Sequence, residues 1–344
     1  MTTGLAISPK TDPTSIYRYR DGLYAADLLT VALVSLDFFS WLAANPSHKA
    51  AICRAFDIKE RPTDVMLTLF VAMGFLQEEN GVFQLSDLAR EHLVKNSPWF
   101  IGPYYASLKD RPVCQDLLRV LRTDKPANWG SLKDEKEWVR AMEDEKFASQ
   151  FTAAMDCRGV FLGRAVAQAL DLRNHKSLLD VAGGSGIYAC AIAAHHPHLS
   201  ATVFEKPPVD KAARNAIAQR GFAGRVSVVA GDMFAGSLPS GFDVHLISNV
   251  LHDWDVPVVK QLLAKSFEAL LPGGLLVIHD AHLNGDKSGP LHVAEYSVML
   301  MHSTEGRCYS VVEMEKLLAE AGFAGSDFVP AAASRSLILA RRPA

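Results

Sequence analysis

The chain has 344 residues, a formal net charge of −3 and five cysteines, and it is 49% hydrophobic and 21% charged. This length is typical of two domains, and the composition is that of a folded globular protein rather than a disordered one. The near-neutral charge argues against a dedicated nucleic-acid or polybasic membrane binder, and the scattered cysteines include no CxxC pair, so neither a disulfide framework nor a metal site is predicted.

The N-terminus lacks the basic start and apolar run of a signal peptide, and no apolar stretch approaches the roughly 20 residues that cross a bilayer. We therefore expect a cytoplasmic protein with no membrane partner.

From about residue 17 to 99, apolar residues recur at the spacing of helices, and Pro62 favours a new helix, predicted over 64–74. Two strand-like runs then flank Asn80-Gly81, a strong hairpin signal. Three helices followed by a hairpin predict a winged helix.

The candidate recognition helix of this winged helix is 61–73. It is dominated by Val, Met, Leu and Phe and carries only Arg61 as a cation, too little for phosphate contacts. A winged-helix regulator that senses a ligand is an alternative function, but the basic recognition helix that it would need is absent from this sequence. We therefore expect no nucleic-acid partner. The apolar surplus suits a dimer interface better, which predicts a homodimer.

The second half of the chain alternates strands and helices. The predicted elements are strands 177–181, 201–205, 226–229, 242–248 and 275–279, helices 187–195, 211–219, 258–271 and 311–321, and last strands 327–330 and 337–340. This pattern predicts an α/β doubly wound, Rossmann-like domain with seven mostly parallel strands, which bind ligands at their carboxyl ends. The predicted division is a winged-helix-like dimerisation domain (1–105), a helical connector (106–169) and a Rossmann-like domain (170–344).

A glycine-rich turn, 180–186 (DVAGGSG), follows the first strand of this domain. Such a turn lets the backbone approach a ligand, and the next helix offers free N–H donors. The dinucleotide pattern needs glycine where Ala189 stands, although alanine is sometimes allowed, so nicotinamide binding stays open at this point. Glu205 ends the second strand and can accept both ribose hydroxyls of an adenosine. Asp232, after the third strand, is not part of the dinucleotide pattern.

Five short motifs follow one another: 180–186 (DVAGGSG), 231–234 (GDMF), 251–254 (LHDW), 271–274 (LPGG) and 319–323 (AEAGF). Together they resemble the S-adenosylmethionine-dependent O-methyltransferases of the plant and bacterial natural-product type, over nearly the whole chain. The resemblance implies S-adenosyl-L-methionine as cofactor, S-adenosyl-L-homocysteine as its product, and a small-molecule acceptor. It implies cofactor contacts at Gly183, Gly184, Gly186, Glu205, Asp232, Met233, Phe234 and Ser248, with Asn249 as the alternative to Ser248.

Two residues depart from that family's pattern in the cofactor region. Glycine is usual where Ala182 stands, and one methyl group there could shift the turn. Aspartate is usual where Glu205 stands, and the change keeps the charge while lengthening the reach. Neither departure argues strongly against adenosyl binding.

Methyl transfer from a sulfonium needs in-line alignment and removal of the acceptor proton, and a histidine of pKa about 6.5 can assist a phenol of pKa about 10. Among the 12 histidines, the resemblance places the general base at His252, after the fourth strand. Asp280 ends the fifth strand and matches the acid that orients the base, whereas Asp253 is expected to point elsewhere. The cluster at 195–198 (HHPH) is predicted to be a surface cap of a helix rather than a metal site.

The family stretch Gly-Arg-Glu-Arg-Thr is replaced by 306–310 (GRCYS), so Cys308 stands where a second acid normally supports the base. Asp280 alone could suffice, or Glu305 or Glu295 could take over. The chemistry could also differ, because some members of the family catalyse decarboxylation, hydroxylation or pericyclic steps, and N- or C-methylation is a further alternative. A nucleophilic Cys308 is less favoured than a buried apolar filler.

The acceptor pocket is expected to be apolar and aromatic. The family places it between the sheet edge and the segments 151–155 and 296–302. Its candidate lining residues are Phe151, Met155, Met299, Met301 and His302, each at least as plausible as a core residue. The predicted reaction is methyl transfer to a phenolic or enolic hydroxyl of a small aromatic or natural-product substrate.

Overall fold

The computed structural model describes residues 5, 7, 9–127 and 145–344, the last range without the side chains of 145–151. The N-terminal elements are α1 (Thr14–Asp21), α2 (Ala25–Thr30) with a π-helical turn (Val31–Ser35), α3 (Phe38–Ala44), β1 (Ser47–His48), α4 (Lys49–Phe56), α5 (Glu60–Ala72), β2 (Leu76–Glu79), β3 (Val82–Leu85), α6 (Asp87–His92), α7 (Gly102–Ala106) and α8 (Pro112–Thr123). The remaining elements are α9 (Glu145–Ala169), β4 (Ser177–Val181), α10 (Ile187–His195), β5 (Ser200–Glu205), α11 (Val209–Gln219), β6 (Val226–Ala230), β7 (Phe242–Ser248), a 3₁₀ turn (Leu251–Asp253), α12 (Val256–Ala269), β8 (Leu270–Asp280), α13 (Leu291–Ser303), α14 (Val311–Glu320), β9 (Ala324–Pro330) and β10 (Ser336–Arg341).

The predicted hairpin at Asn80-Gly81 is confirmed. Both residues have left-handed φ angles, 52° and 80°, as a two-residue hairpin turn requires, and β3 pairs antiparallel with β2 and β1. Helix α5 begins at Glu60 rather than residue 64, because the N–H of Thr63 already bonds to the carbonyl of Lys59. Most of α5 is buried, and it packs against α13. The winged-helix assignment stays a prediction.

The predicted sheet of seven mostly parallel strands is confirmed, in the order β6-β5-β4-β7-β8-β10-β9. The strands from β6 to β8 run parallel, and β10 is antiparallel to both β8 and β9. β4 lies between β5, which follows it in sequence, and β7, which starts the other half of the sheet. The chain therefore reverses direction across the sheet at β4, and such a switch point opens a crevice at the carboxyl ends of the strands.

The boundary between α12 and β8 differs from the prediction. Helix α12 starts at Val256, where the side chain of Asp255 caps it by accepting from the Val258 N–H at 3.2 Å, and it ends at Ala269. Strand β8 then begins at Leu270, five residues before the predicted start, because Leu270 already pairs with β7. Apolar residues continue from α12 into β8, so the sequence pattern did not show where the helix ends and the strand begins.

A buried ion pair joins the N-terminal helices to the last hairpin. Arg335, just before β10, donates from Nη2 to Oδ2 of Asp21 at 2.8 Å, and both residues are only 4% exposed. The same guanidinium lies 4.3 Å from the ring centre of Tyr296 on α13.

Among the described helices, none is by itself long and apolar enough to cross a membrane. One pair, Thr14–Ser35 with Phe38–Ala44, meets the length and composition limits together, although it is bent by 62°.

Candidate active site

The glycine-rich turn follows β4 at the carboxyl edge of the sheet. Gly184 and Gly186 have φ angles of 57° and 74°. A Cβ at Gly186 would lie 2.8 Å from Ile217, whereas the space beside Gly184 is open. Ala182 also has a left-handed φ of 53°, which explains why glycine is usual there and costs roughly 1 kcal/mol. Its N–H still bonds to the carbonyl of Phe204 at 2.9 Å, so the methyl group does not displace the turn from the sheet.

Two carboxyl groups lie beneath and beside this turn. Glu205, at the end of β5, accepts from the N–H of Gly184 at 2.9 Å and from that of Lys206 at 2.8 Å. Asp180, at the end of β4, lies so close that a Cβ on Gly183 would be 2.6 Å from its carboxyl group. Burial raises the pKa of both acids to about 7. The glycines and the acids therefore define one compact, partly protonated cradle.

The loop after β6 forms the next part of the edge. The N–H of Phe234 bonds to Oδ1 of Asp232 at 2.8 Å. Lys265, on α12, holds the loop from outside by donating to the carbonyls of Met233 at 2.9 Å and Phe234 at 2.7 Å. The Phe234 ring packs edge-on against Trp254, with centroids 4.8 Å apart. The sequence analysis did not single out Lys265, because its role depends on a contact between distant segments.

Ser248 and Asn249, at the end of β7, form a polar network with two neighbouring elements. Ser248 Oγ lies 2.8 Å from Nδ1 of His279, and the Asn249 amide donates to Ser248 and to the hydroxyl of Tyr188 at 3.0 and 3.1 Å. Burial lowers the pKa of His279 to about 3, so this ring is neutral. In the described part of the chain, Oδ1 of Asn249 is buried without a hydrogen-bond partner.

The structure brings His252 and Asp280 into direct contact. His252 lies in the 3₁₀ turn after β7 and Asp280 ends β8, and Nδ1 of the imidazole is hydrogen-bonded to Oδ1 of the carboxylate. Both residues are 4% exposed. Burial lowers the pKa of His252, but the carboxylates raise it by more, so the net pKa is above its usual value. Burial raises the pKa of Asp280, but the neighbouring His252 lowers it by more, so the net pKa is about 2.

The expectation that Asp253 points elsewhere is wrong. Its Oδ1 lies 3.5 Å from Nε2 of His252, so the imidazole is flanked by a carboxylate on each side. Burial raises the pKa of Asp253 to about 6, against the lowering effect of His252. Within the described residues, Asp280 and Asp253 are the carboxylates that reach His252, and neither Glu295 nor Glu305 takes over as a second supporting acid.

The 306–310 stretch contacts the segment around His252 through its backbone and through Tyr309. A Cβ on Gly306 would lie 2.0 Å from the carbonyl oxygen of His252, so only glycine fits. The Tyr309 hydroxyl donates to the carbonyl of Trp254 at 2.7 Å. Cys308 is fully buried, and burial raises the pKa of its thiol well above the usual value. An inert thiol thus occupies the position of the missing acid.

The surroundings of His252 contain residues that sequence reasoning missed. The Tyr296 ring meets the His252 ring edge-on, with centroids 5.7 Å apart. Nη1 of Arg158, on α9, lies 3.5 Å from the Tyr296 hydroxyl. Arg158 follows the candidate Met155 by one helical turn, and this spacing was the signal that could have identified it.

The other candidate lining residues lie in different surroundings. Phe151 is on α9, but its side chain lies outside the described residues. Met299 packs against the N-terminal core, and Met301 is fully buried in it. The His302 ring lies 4.7 Å from the ring of Tyr24. Among the described contacts, neither Met301 nor His302 meets His252 or Asp280.

The histidine cluster at the end of α10 is only partly on the surface. His195 is exposed, but His196 is 7% exposed and its Nε2 lies 3.3 Å from the carbonyl of Ala167, so the surface-cap prediction is wrong for this ring. His198 lies 3.1 Å from the carbonyl of Leu172. Among the described residues, no group of three or more His, Cys, Asp or Glu side chains could hold a metal ion.

Comparisons with known proteins identify related chains. The model of an O-methyltransferase domain matches residues 116–324. A 3-hydroxy-5-methyl-1-naphthoate 3-O-methyltransferase from Streptomyces sahachiroi is 32% identical over 90% of this chain and 89% of its own. The tetracenomycin polyketide synthesis 8-O-methyl transferase from Streptomyces glaucescens is 28% identical over 96% and 97%. The crystal structure of an O-methyltransferase family 2 protein from Planctomyces limnophilus, in complex with apigenin, superposes with a TM-score of 0.87 at 33% identity and covers 98% of both chains.

Proposed function

Because the chain belongs to the S-adenosyl-L-methionine-dependent O-methyltransferases, we propose that it methylates a phenolic or enolic hydroxyl of a small aromatic molecule, with His252 as general base. The observation that carries this proposal is the buried contact between His252 and Asp280. His252 follows β7 and Asp280 ends the neighbouring strand β8, and β7 lies next to β4, which leads into the glycine turn. A base with an orienting carboxylate therefore faces the crevice in which this fold binds its ligands.

The edge residues fit an adenosyl cofactor. The open space beside Gly184 and the unpartnered Oδ1 of Asn249 leave a surface and an acceptor for a ligand. Glu205 suits the ribose hydroxyls, and Asp232 suits an adenine amine, because its Oδ1 fixes the loop and leaves the other oxygen to accept. We assign cofactor contacts to Gly183, Gly184, Gly186, Glu205, Asp232, Met233, Phe234 and Ser248.

The cofactor, when bound, supplies an activated methyl group on a sulfonium. The chain must orient the acceptor hydroxyl and receive its proton. Nδ1 of His252 is held by Asp280, which fixes the tautomer that leaves Nε2 unprotonated as the proton acceptor, with Oδ1 of Asp253 3.5 Å from it. Once Nε2 is protonated, the carboxylates on both sides of the ring stabilise the imidazolium. Tyr296 packs against the ring and limits its rotation.

The names of two related proteins support an aromatic hydroxyl compound as the acceptor. The Streptomyces sahachiroi relative is named for a hydroxylated naphthoate, and the Planctomyces limnophilus structure contains apigenin. Both compounds are flat, hydroxylated aromatic molecules. We propose an acceptor of this class, bounded by Met155 and Met299, with Phe151 nearby on α9.

We also propose that two copies associate through the N-terminal region. Large apolar side chains are exposed on and near α1 and α7: Ile16, Tyr19, Leu23, Trp99, Ile101 and Tyr104. Such a concentration is typical of an interaction surface rather than of a free monomer. A second copy of this chain can cover these side chains without any other protein. Light scattering should therefore give twice the mass of one chain.

Incubation with isotope-labelled cofactor and a panel of hydroxylated naphthoates and flavones tests the reaction. We expect labelled O-methyl products, and a fall in kcat of about 10²–10⁴-fold in His252→Ala with unchanged affinity for S-adenosyl-L-homocysteine. His195→Ala, a change at an exposed histidine, serves as the control. Full activity of His252→Ala would refute the assignment of the base, and products labelled only on nitrogen or carbon would refute hydroxyl methylation.

A further inference from the structure

Arg158 brings a positive charge to the wall of the proposed catalytic pocket. It lies on α9, and its Nη1 is 3.5 Å from the hydroxyl of Tyr296. The Tyr296 ring in turn packs edge-on against His252, with centroids 5.7 Å apart. A guanidinium is therefore one aromatic side chain away from the base.

Within the residues that the structure describes, no carboxylate lies within ion-pair distance of Arg158, and its Nε is buried without a hydrogen-bond partner. Its near neighbours are the phenols of Tyr188 and Tyr296, which burial keeps neutral by raising their pKa values. A second arginine nearby, Arg335, is buried and is paired with Asp21 at 2.8 Å. Arg158 is half-buried with a fully buried Nε, and a cation held partly out of water without a counter-ion favours the binding of an anion.

We propose that Arg158 binds a carboxylate of the acceptor, carried on the same aromatic skeleton as the hydroxyl that His252 deprotonates. This rests on the proposed function and adds that the substrate is an aromatic hydroxy acid. The planar fork of a guanidinium matches a carboxylate in two parallel hydrogen bonds, and its free Nε is one of the donors for them. Tyr296 contacts both Arg158 and His252, so the two anchoring points lie one aromatic side chain apart, a separation that a carboxylate and a hydroxyl on one aromatic skeleton can span.

Equilibrium binding with matched ligands tests this assignment. The ligand pairs are 3-hydroxy-1-naphthoate with 2-naphthol, and 3-hydroxybenzoate with phenol, which differ only by the carboxylate. We expect the wild type, saturated with S-adenosyl-L-homocysteine, to bind the acid of at least one pair roughly 10- to 150-fold more tightly than the neutral partner. Arg158→Gln should abolish this preference and Arg158→Lys should retain part of it. Arg164→Gln, on the same helix with its guanidinium on the carbonyl of Leu5 at 3.0 Å, should leave it unchanged.

Three outcomes would overturn the proposal. The first is that neither acid binds more tightly than its neutral partner. The second is that Arg158→Gln weakens S-adenosyl-L-homocysteine by a similar factor, which would assign the charge to the cofactor carboxylate. The third is that Arg158→Gln lowers kcat/KM equally for acid and neutral acceptors, which would indicate a structural role for Arg158. Preferential binding of an acid without methyl transfer would leave this proposal standing and refute the proposed function instead.

Discussion

Replacing Asp280 with asparagine isolates the charge that supports His252. Asparagine keeps an Oδ1 that can accept the Ala281 N–H, a bond of 2.7 Å in the wild type, so the local backbone should be preserved. The substitution removes the negative charge at Nδ1 of a ring that is 4% exposed. What remains is burial, which lowers the pKa of His252, and the more exposed Asp253.

The expected changes follow from the size of that charge. A carboxylate in contact with a histidine raises its pKa by about 1–3 units, which corresponds to about 1.4–4 kcal/mol. The base must be neutral to accept a proton, so wild-type activity should rise with pH through a pKa above the usual value. In Asp280→Asn this rise should move to lower pH by about 1–3 units. The maximal rate should nevertheless fall by about 10²–10⁴-fold, because a neutral amide stabilises the imidazolium less than a carboxylate does.

The assay is the pH dependence of kcat/KM from pH 5 to 9, with a phenolic acceptor whose own pKa lies outside this range. Asp286→Asn, which removes an exposed carboxylate six residues further along, is the matched control and should follow the wild-type profile. A profile of Asp280→Asn that keeps its wild-type midpoint and more than a third of the wild-type rate would refute the reasoning.

Two further predictions concern the cofactor edge. In urea titrations, Ala182→Gly should leave the free energy of unfolding unchanged or raise it by up to about 1 kcal/mol, because glycine relieves the strain of the left-handed φ. The control Ala216→Gly, within α11, should lower the free energy of unfolding by about 0.5–1 kcal/mol. Equal losses in both variants would contradict this. The pKa of Glu205 is raised to about 7, so the carboxylate that we propose accepts the ribose hydroxyls forms as pH rises. Calorimetry should therefore show S-adenosyl-L-homocysteine binding about 10-fold more tightly at pH 8 than at pH 6. Glu205→Gln should remove this pH dependence, and a wild-type affinity that does not change with pH would contradict the assignment.

The parts of the site that lie within one strand end were predictable from sequence. His252 and Asp280 each follow a short apolar strand, and parallel strands place their carboxyl ends at one edge, so their meeting follows from topology. The glycine turn and Glu205 follow from the same rule. Local patterns of this kind determine the sheet, and the sheet then positions the side chains.

The residues that sequence reasoning missed act across elements that are far apart in the chain. Arg158 reaches Tyr296 over 138 positions, and Lys265 reaches Met233 over 32. No local pattern encodes such pairings. Met301 shows the converse limit, because a methionine at helical spacing has the same signature in a pocket wall and in a fully buried core. Only the packing of α13 against the N-terminal helices separates the two.

The ion pair between Asp21 and Arg335 has a consequence for how the chain folds. The two residues are 314 positions apart, so the contact closes a loop that includes nearly the whole protein. Closing so long a loop is slow and entropically unfavourable until the intervening segments have become compact. We therefore expect the pairing of Asp21 with Arg335 to form late, after the segments between them have folded. Asp21 is synthesised 314 residues before Arg335, so its carboxylate has to stay without this partner until Arg335 has been made.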